Sequence, residues 1–326
     1  MCPIPGRPTR RGTVPMLAYF IRRLLQFIPT ILGVTLIVFL LLNVLPGNAA
    51  LTALAESDRG LDPTYVAAMK QLWGLDKPLH ERYFDYMLKL AQGDLGRSFL
   101  RRDPVSGLVL ERVGPTLKLA VAAMFIALGL GIPLGFFSAL RQGSWLDTTS
   151  MIGAVSGVSM PQFWLGLLLM YALAVALPLL PTSGYGDGGL RHLLMPAFTL
   201  GVSYMALLAR TTRAAVVEIK LADFIRTARA KGLAETVINY KHILRNALIL
   251  VLTTAGLQFG ALIGNTVIVE KLFSWPGVGS LLVDSIFQRD IPVTQGCVLL
   301  LILGFLVINL TVDMLYALID PRIEYR

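Results

Sequence analysis

The sequence predicts an all-α integral membrane protein with six transmembrane helices. Hydrophobic residues make up 55% of the 326 positions and charged residues only 15%, whereas soluble domains carry about 25% charged residues. Several apolar segments are also long enough to cross a bilayer, and polar loops separate them. The net charge of +9 is explained by basic cytoplasmic loops of a membrane protein, so it does not indicate nucleic acid binding.

The N-terminus predicts a cytoplasmic segment followed by a membrane anchor. Residues 1–23 contain five arginines and no acidic residue. The 22 residues from 24 to 45 contain no charged residue. This apolar run is longer than the core of a signal peptide, so we interpret it as an uncleaved first span. The pair Ala49-Ala50 leaves cleavage as an alternative.

Residues 46–114 predict an external (periplasmic) region. This segment has nine basic and nine acidic residues, and it exceeds the length over which positive charge dictates orientation. Two short amphipathic helices are expected within it, over residues 62–74 and 78–92.

Residues 115–318 are expected to form the membrane core with spans two to six. The five apolar segments assigned to them are residues 119–140, 162–180, 193–209, 246–269 and 291–312. The uncharged run before residue 187 is too long for one span, so residues 148–161 are predicted to be a helix that enters or skirts the membrane.

The charge of the loops predicts the orientation. Residues 210–245 contain eight basic and three acidic residues, a net charge of +5, which indicates a cytoplasmic loop. Six spans then place both termini in the cytoplasm, including the tail at residues 319–326.

A charged amphipathic helix is predicted over residues 221–235, between spans four and five. One face carries bulky residues first and small residues last, and the other faces are mainly basic. The residues that define this helix are Leu221, Phe224, Ile225, Arg226, Ala228, Arg229, Lys231 and Gly232. The pattern alone favours a helix that lies on anionic lipid over one that docks a soluble partner.

The fifth span carries small and polar residues on its surface. Gly256, Gly260 and Gly264 repeat at four-residue spacing on one face, which favours close helix packing. Gln258 and Asn265 are uncharged polar residues in the same span. They are expected either to line a pathway or to form hydrogen bonds between helices.

No residue pattern indicates catalysis. Gly157-Val-Ser159 and His192 could suggest an intramembrane serine protease, but the neighbouring residues give no sign of the required triad. No phosphate-binding loop and no zinc-protease motif occur in the sequence. The three histidines lie on different predicted segments, so no metal site is expected. Without a convincing nucleophile or general base, the chain is not expected to be an enzyme.

Several motifs together resemble one family. They are Leu45-Pro-Gly, Gly74-Leu-Asp-Lys-Pro, Gly93-Asp-Leu-Gly, Ser159-Met-Pro-Gln-Phe-Trp, Arg226-Thr-Ala-Arg-Ala-Lys-Gly-Leu, His242-Ile-Leu-Arg-Asn-Ala, Phe273-Ser-Trp-Pro-Gly-Val-Gly and Asp320-Pro-Arg-Ile. Over residues 17–326 the chain resembles the permeases of binding-protein-dependent ABC importers, in the dipeptide, oligopeptide, glutathione and nickel branch and as the first permease subunit. Gly232, Ala228 and Leu244 match the loop consensus of the wider family, whereas its glutamate is replaced.

The resemblance implies a heteromeric importer in the bacterial inner membrane. The expected partners are a second homologous permease, two ATP-binding subunits and an external substrate-binding protein, with lipid around the spans. ATP and Mg²⁺ would bind to the partners, and this chain would bind no cofactor. The helix at 221–235 becomes the expected coupling helix. The substrate is expected to be a di- or oligopeptide because no cluster of metal ligands lies in a span. Glutathione and nickel remain alternative substrates, and an ion-coupled carrier remains an alternative type of transporter.

Overall fold

The computed structural model describes residues 16–44, 71, 74 and 76–319, and its regular elements there are helices. The helices are α1 (Met16–Val44), α2 (Leu79–Ala91), α3 (Val105–Leu140), α4 (Trp145–Ser159), α5 (Gln162–Met170), α6 (Leu190–Lys220), α7 (Asp223–Ala230), α8 (Arg245–Leu272), α9 (Val278–Phe287) and α10 (Ile291–Ile319). α5 continues as a π-helix over Tyr171–Ala176, and a turn at Glu235–Val237 followed by a π-helix at Ile238–Leu244 leads into α8.

The all-α membrane fold class is confirmed. Among the described residues, five helices are long and apolar enough to cross a membrane. They contain the predicted spans one, two, four, five and six. The predicted span at 162–180 is shorter in the structure, where α5 and its π-helical continuation cover Gln162–Ala176. The helix stops there because Pro178 and Pro181 cannot continue its hydrogen bonding.

The helix bounds also change the predicted borders of the region after the first span. α3 begins at Val105, inside the segment expected to be external, and it exceeds one bilayer thickness at about 54 Å. α2 lies where the second amphipathic helix was predicted. The other predicted amphipathic helix, the segment 1–15 and the tail from 320 fall mainly or wholly outside the described residues.

α3 and α6 pack with their backbones in contact. A Cβ atom built on Gly131 would lie 2.8 Å from the carbonyl oxygen of Met205, and one on Gly201 would lie 2.8 Å from that of Ala123. Any side chain at these positions would therefore force the helices apart. The glycines allow the close approach expected of small residues at membrane helix interfaces.

α8 and α10 run antiparallel and use two of the three predicted glycines. A Cβ atom on Gly256 would lie 2.6 Å from Val312, and one on Gly260 would lie 2.7 Å from the side-chain oxygen of Asn309. No atom lies within 4 Å of the corresponding position on Gly264. Within this chain the close packing therefore includes Gly256 and Gly260 and leaves Gly264 open.

The first span lies at the edge of the bundle and is held by α10 and α2. Arg23 Nε lies 2.7 Å from Asp313 Oδ2, which joins α1 to α10. Near its other end Phe39 packs edge-on against Tyr83 of α2, with ring centroids 5.2 Å apart. Asp313 is therefore one partner of an inter-helix ion pair.

Candidate functional site

One side of the short helix α7 is buried against the rest of this chain. Ile225 is fully buried and Ala228 is 7% exposed. They belong to an apolar cluster with Phe136, Ala139, Ala215, Val216, Ile238, Ile243 and Ala247. The cluster draws on α3, α6, the π-helix and α8, so it fixes α7 to the end of the bundle.

The other side of α7 is exposed and combines apolar with basic residues. Leu221 is 78% exposed and Phe224 is 47% exposed. The side chain of Arg226 is 79% exposed, and Lys231 is exposed as well. We call Leu221, Phe224, Arg226 and Lys231 the α7 outer face. Two large apolar side chains in so polar a segment indicate a surface that a partner could cover.

The predicted coupling helix is shorter in the structure than 221–235. α7 ends at Ala230, and Gly232 lies beyond it with φ +75°. The amide of Leu233 bonds the carbonyl of Ala228 at 3.3 Å, and that of Gly232 bonds the carbonyl of Arg229 at 2.9 Å. This pattern is a Schellman motif, which needs a residue in the left-handed region. Gly232 is thus required by the helix end.

Ala228, which belongs to the predicted coupling helix, is therefore covered by this chain itself. Ala228 faces the chain's own core together with Ile225. Periodicity showed that this face is apolar, but intramolecular packing covers it. Arg229 turns toward the following turn instead, where its Nε lies 2.8 Å from Glu235 Oε1.

A buried ion pair reinforces the same end of the bundle. Arg213 of α6 binds Asp147 of α4 through two contacts, Nε to Oδ1 at 2.6 Å and Nη2 to Oδ2 at 2.8 Å. Ser138 of α3 also donates to Asp147, whose side chain is 7% exposed. Lys220 donates to the carbonyl of Ala139 at 3.1 Å. These contacts join α3, α4 and α6 at the same end of the bundle as α7.

The polar residues predicted in the fifth span have different surroundings. Asn265 donates its side-chain amide to the hydroxyl of Tyr204 on α6 at 2.8 Å. For Asn265 this contact favours a hydrogen bond between helices over a role in lining a pathway. Gln258 is half-buried on α8.

A buried carboxylate at the opposite end of the bundle was not predicted. Glu270 is fully buried at the end of α8. Its Oε1 accepts from the Thr116 hydroxyl of α3 at 2.7 Å, and its Oε2 accepts from the amide of Ser280 at 3.0 Å. Thr116 in turn accepts from the amide of Val278 at 2.9 Å. These bonds hold α3, α8 and α9 together.

The motif Phe273-Ser-Trp-Pro-Gly-Val-Gly closes over this carboxylate. Trp275 is fully buried and donates its indole N–H to the carbonyl of Pro115 at 2.9 Å. A Cβ atom on Gly279 would lie 2.9 Å from Glu270 Oε2, so the position requires glycine. The glycines of the motif, placed shortly after a span that ends in an acid, are the signal that could have identified Glu270.

Two family models together match almost the whole chain. "Binding-protein-dependent transport system inner membrane component" matches residues 131–325, and "Binding-prot-dependent transport system membrane comp, N-term" matches residues 16–120. The chain belongs to this family of binding-protein-dependent ABC importer permeases. As such it is a multi-pass protein of the bacterial inner membrane and has no catalytic activity of its own.

Curated relatives and solved structures agree with this assignment. The chain is 47% identical over 311 residues to the "Glutathione transport system permease protein GsiC" of Pectobacterium atrosepticum, which covers 95% of this chain and 100% of the relative. It is 45% identical over 312 residues to the protein of that name from Escherichia coli K12, with the same coverage of 95% and 100%. An inward-facing crystal structure of the MetNI methionine ABC transporter matches with a TM-score of 0.57, 19% identity and coverage of 66% of this chain and 97% of that chain. At 19% identity, the similarity to the methionine transporter shows a shared fold only.

Proposed function

We propose that this permease couples to ATP-binding partner subunits through the α7 outer face. The observation that carries the proposal is the division of α7 into two sides. Ile225 and Ala228 fix the helix to its own bundle, while Leu221 and Phe224 remain exposed. A partner that covered both side chains would gain about 1.5–3 kcal/mol for each from apolar burial.

The charges on this face favour a soluble protein partner with acidic residues. Arg226 and Lys231 are exposed and follow the apolar pair in the sequence. The net charge of +5 over residues 210–245 supports a cytoplasmic position for this end of the bundle. The other partners that we propose are a second homologous permease and an external substrate-binding protein, with ATP and Mg²⁺ bound by two ATP-binding subunits.

The first experiment measures retention of the ATPase. The full chain is purified from its native membrane as the Leu221→Ala/Phe224→Ala double variant, and ATPase activity is measured in the purified complex. We expect the activity to be lost while the level of the permease is unchanged. Leu190→Ala is the matched control, because Leu190 is 73% exposed at the opposite end of the bundle. Equal ATPase activity in all samples would contradict the proposal.

Binding to lipid is the competing function of the α7 outer face. If α7 only rests on anionic lipid, the double variant keeps its ATPase, and wild-type activity in nanodiscs depends on the anionic lipid content. The ATPase measurement in zwitterionic and anionic nanodiscs therefore separates the two functions.

For the substrate we propose a small peptide, with glutathione as the first candidate. The 45–47% identity to permeases named for glutathione transport supports this choice, and glutathione is itself a tripeptide. Uptake of labelled glutathione should depend on the chain and on its ATP-binding partner. Dipeptides and Ni²⁺ are tested as competitors. Uptake that follows an ion gradient and persists without the ATP-binding partner would indicate a carrier instead.

A further inference from the structure

A large cavity lies at the end of the bundle opposite to α7. Its volume is about 1010 Å³, and its walls come from the end of α1, from α2, from the loop at 94–104 and from the start of α10. Cavities of about 300–1,000 Å³ hold small-molecule ligands in proteins. This one is therefore large enough for a short peptide.

The loop at 94–104 is held in place by contacts within the chain. Asp94 accepts from the amide of Gly96 at 2.8 Å, and the amide of Val105 bonds the carbonyl of Gly96 at 3.0 Å. Asp290, which is 3% exposed, accepts from the Ser98 hydroxyl and from the amide of Phe99 at 3.1 Å. The loop therefore forms a fixed wall.

The cavity has an excess of positive charge. Among the residues that the structure describes, five basic side chains line the cavity and two acidic ones oppose them: Lys77, Arg82, Lys89, Arg97 and Arg102 against Asp85 and Asp94. Lys77 and Asp85 form an ion pair at 2.7 Å, and Asp94 already accepts from the amide of Gly96. Three basic side chains are thus left in excess.

Arg82 is the basic residue best placed to bind an anion. Its guanidinium lies over the ring of Phe39, 5.9 Å from the centroid, and no ion pair joins it to a carboxylate of the described residues. Burial lowers the pKa of this guanidinium. A partly desolvated arginine beside an aromatic ring gains more from a carboxylate than an exposed one, because water screens the pair less.

Gln295 is a second, independent observation at the same cavity. It lines the cavity from α10 and is 8% exposed. Its side-chain amide nitrogen is buried without a hydrogen-bond partner among the described residues. Since a buried unpaired donor is costly, a ligand that supplies an acceptor would be favoured here.

We propose that this cavity binds a small peptide through its carboxylate, with Arg82 as the charged contact and Gln295 as a further donor. Tyr86 and Leu95, which are half-buried in the lining, offer apolar area for the rest of the ligand. The inference rests on the proposed peptide substrate, and it gives the permease a ligand site of its own at the end opposite to α7.

The test measures binding of labelled glutathione to the full chain in zwitterionic nanodiscs. We expect saturable binding that weakens at least about tenfold in Arg82→Gln, since a charge-assisted hydrogen bond is lost. Arg82→Lys should retain part of the affinity, and Gln295→Leu should weaken it severalfold. Glutathione with both carboxyls amidated should bind at least about tenfold more weakly than glutathione itself. The matched control is Arg101→Gln, because Arg101 is exposed and lies outside the cavity lining.

Three results would overturn the inference. They are equal binding in Arg82→Gln and Arg101→Gln, equal binding of the amidated tripeptide, and competition by anionic phospholipid that displaces glutathione completely. The last would assign the cavity to a lipid phosphate. Melting temperatures of all variants separate a loss of binding from a loss of folding.

Failure of this inference and failure of the proposed function give different results. A chain that supports ATPase-dependent glutathione uptake with the same KM in Arg82→Gln overturns only the cavity site. Binding that depends on Arg82, without any ATPase-dependent uptake, overturns only the proposed transport function.

Discussion

The hydroxyl of Thr116 lies 2.7 Å from the carboxylate of Glu270 and also accepts from the amide of Val278 at 2.9 Å. One small side chain on α3 thus connects the end of α8 to the start of α9. All three groups are buried, so each depends on the others for its hydrogen bonds.

Thr116→Val should therefore destabilise the protein. The change leaves the Val278 amide and one carboxylate oxygen without a partner, at a cost of about 1–3 kcal/mol. Thr254→Val is the matched control, because Thr254 donates only to the carbonyl of Leu250 in its own helix. The melting temperature of the purified chain should fall in the first variant and remain near the wild-type value in the second. Equal values would show that the buried network adds nothing to stability.

The glycines of α8 predict a sharp difference between two identical substitutions. Gly260→Leu would drive a side chain into Asn309 and Phe305, whereas Gly264→Leu would enter open space. Overpacking of this kind typically costs about 1–3 kcal/mol. The isolated chain should lose thermal stability only with Gly260→Leu. A matching loss at Gly264 would mean that the space beside it is filled.

Substitution of Gly232 should act through the backbone. Gly232→Ala places a Cβ at φ +75°, which costs about 1 kcal/mol, while Gly232→Asn should cost less because asparagine tolerates the left-handed region. No atom lies within 4 Å of the added Cβ, so the new side chain would not clash with the rest of this chain. Hydrogen exchange at the end of α7 should rise more for alanine than for asparagine. The reverse order would refute the helix-end role.

The pair of Asp147 and Arg213 should matter more than a surface pair in the same region. Asp147→Asn removes the charge from a carboxylate that is 7% exposed, and we expect a loss of about 1–3 kcal/mol once the partial exposure of Arg213 is taken into account. Asp223→Asn is the control, since the Asp223 side chain is 99% exposed and its contact to Arg226 is 3.9 Å long. Chemical or thermal unfolding should separate the two variants clearly, and similar losses would count against the buried pair.

The orientation of the chain can be measured with reporters. A reporter fused after Lys231 should be cytoplasmic and one fused after Gly96 external, because residues 210–245 carry a net charge of +5 and the two positions lie at opposite ends of the bundle. Detection of both on one side of the membrane would contradict the six-span topology.

Sequence patterns predicted five of the six spans as helices long enough to cross a membrane, because long uncharged runs have few other structural explanations. They did not predict what covers each surface. The apolar face of α7 was identified from its spacing, but the same spacing serves a core contact, as at Ile225, and a partner contact. The role of Gly232 was missed for a similar reason, since its backbone angle is set by the helix end. Glu270 was missed because Thr116, one of its two partners, lies 154 residues away in the sequence; the glycines of the motif that follows it were the only local signal.

The contact of α3 with α6 through Gly131 and Gly201 has a mechanical consequence. Backbones that touch directly, with no flexible side chain between them, cannot slide or rotate past one another easily. α6 is 31 residues long and therefore spans about 46 Å, from the segment before α7 to the far end of the bundle. We therefore expect a displacement applied at α7 to move α3 and α6 together.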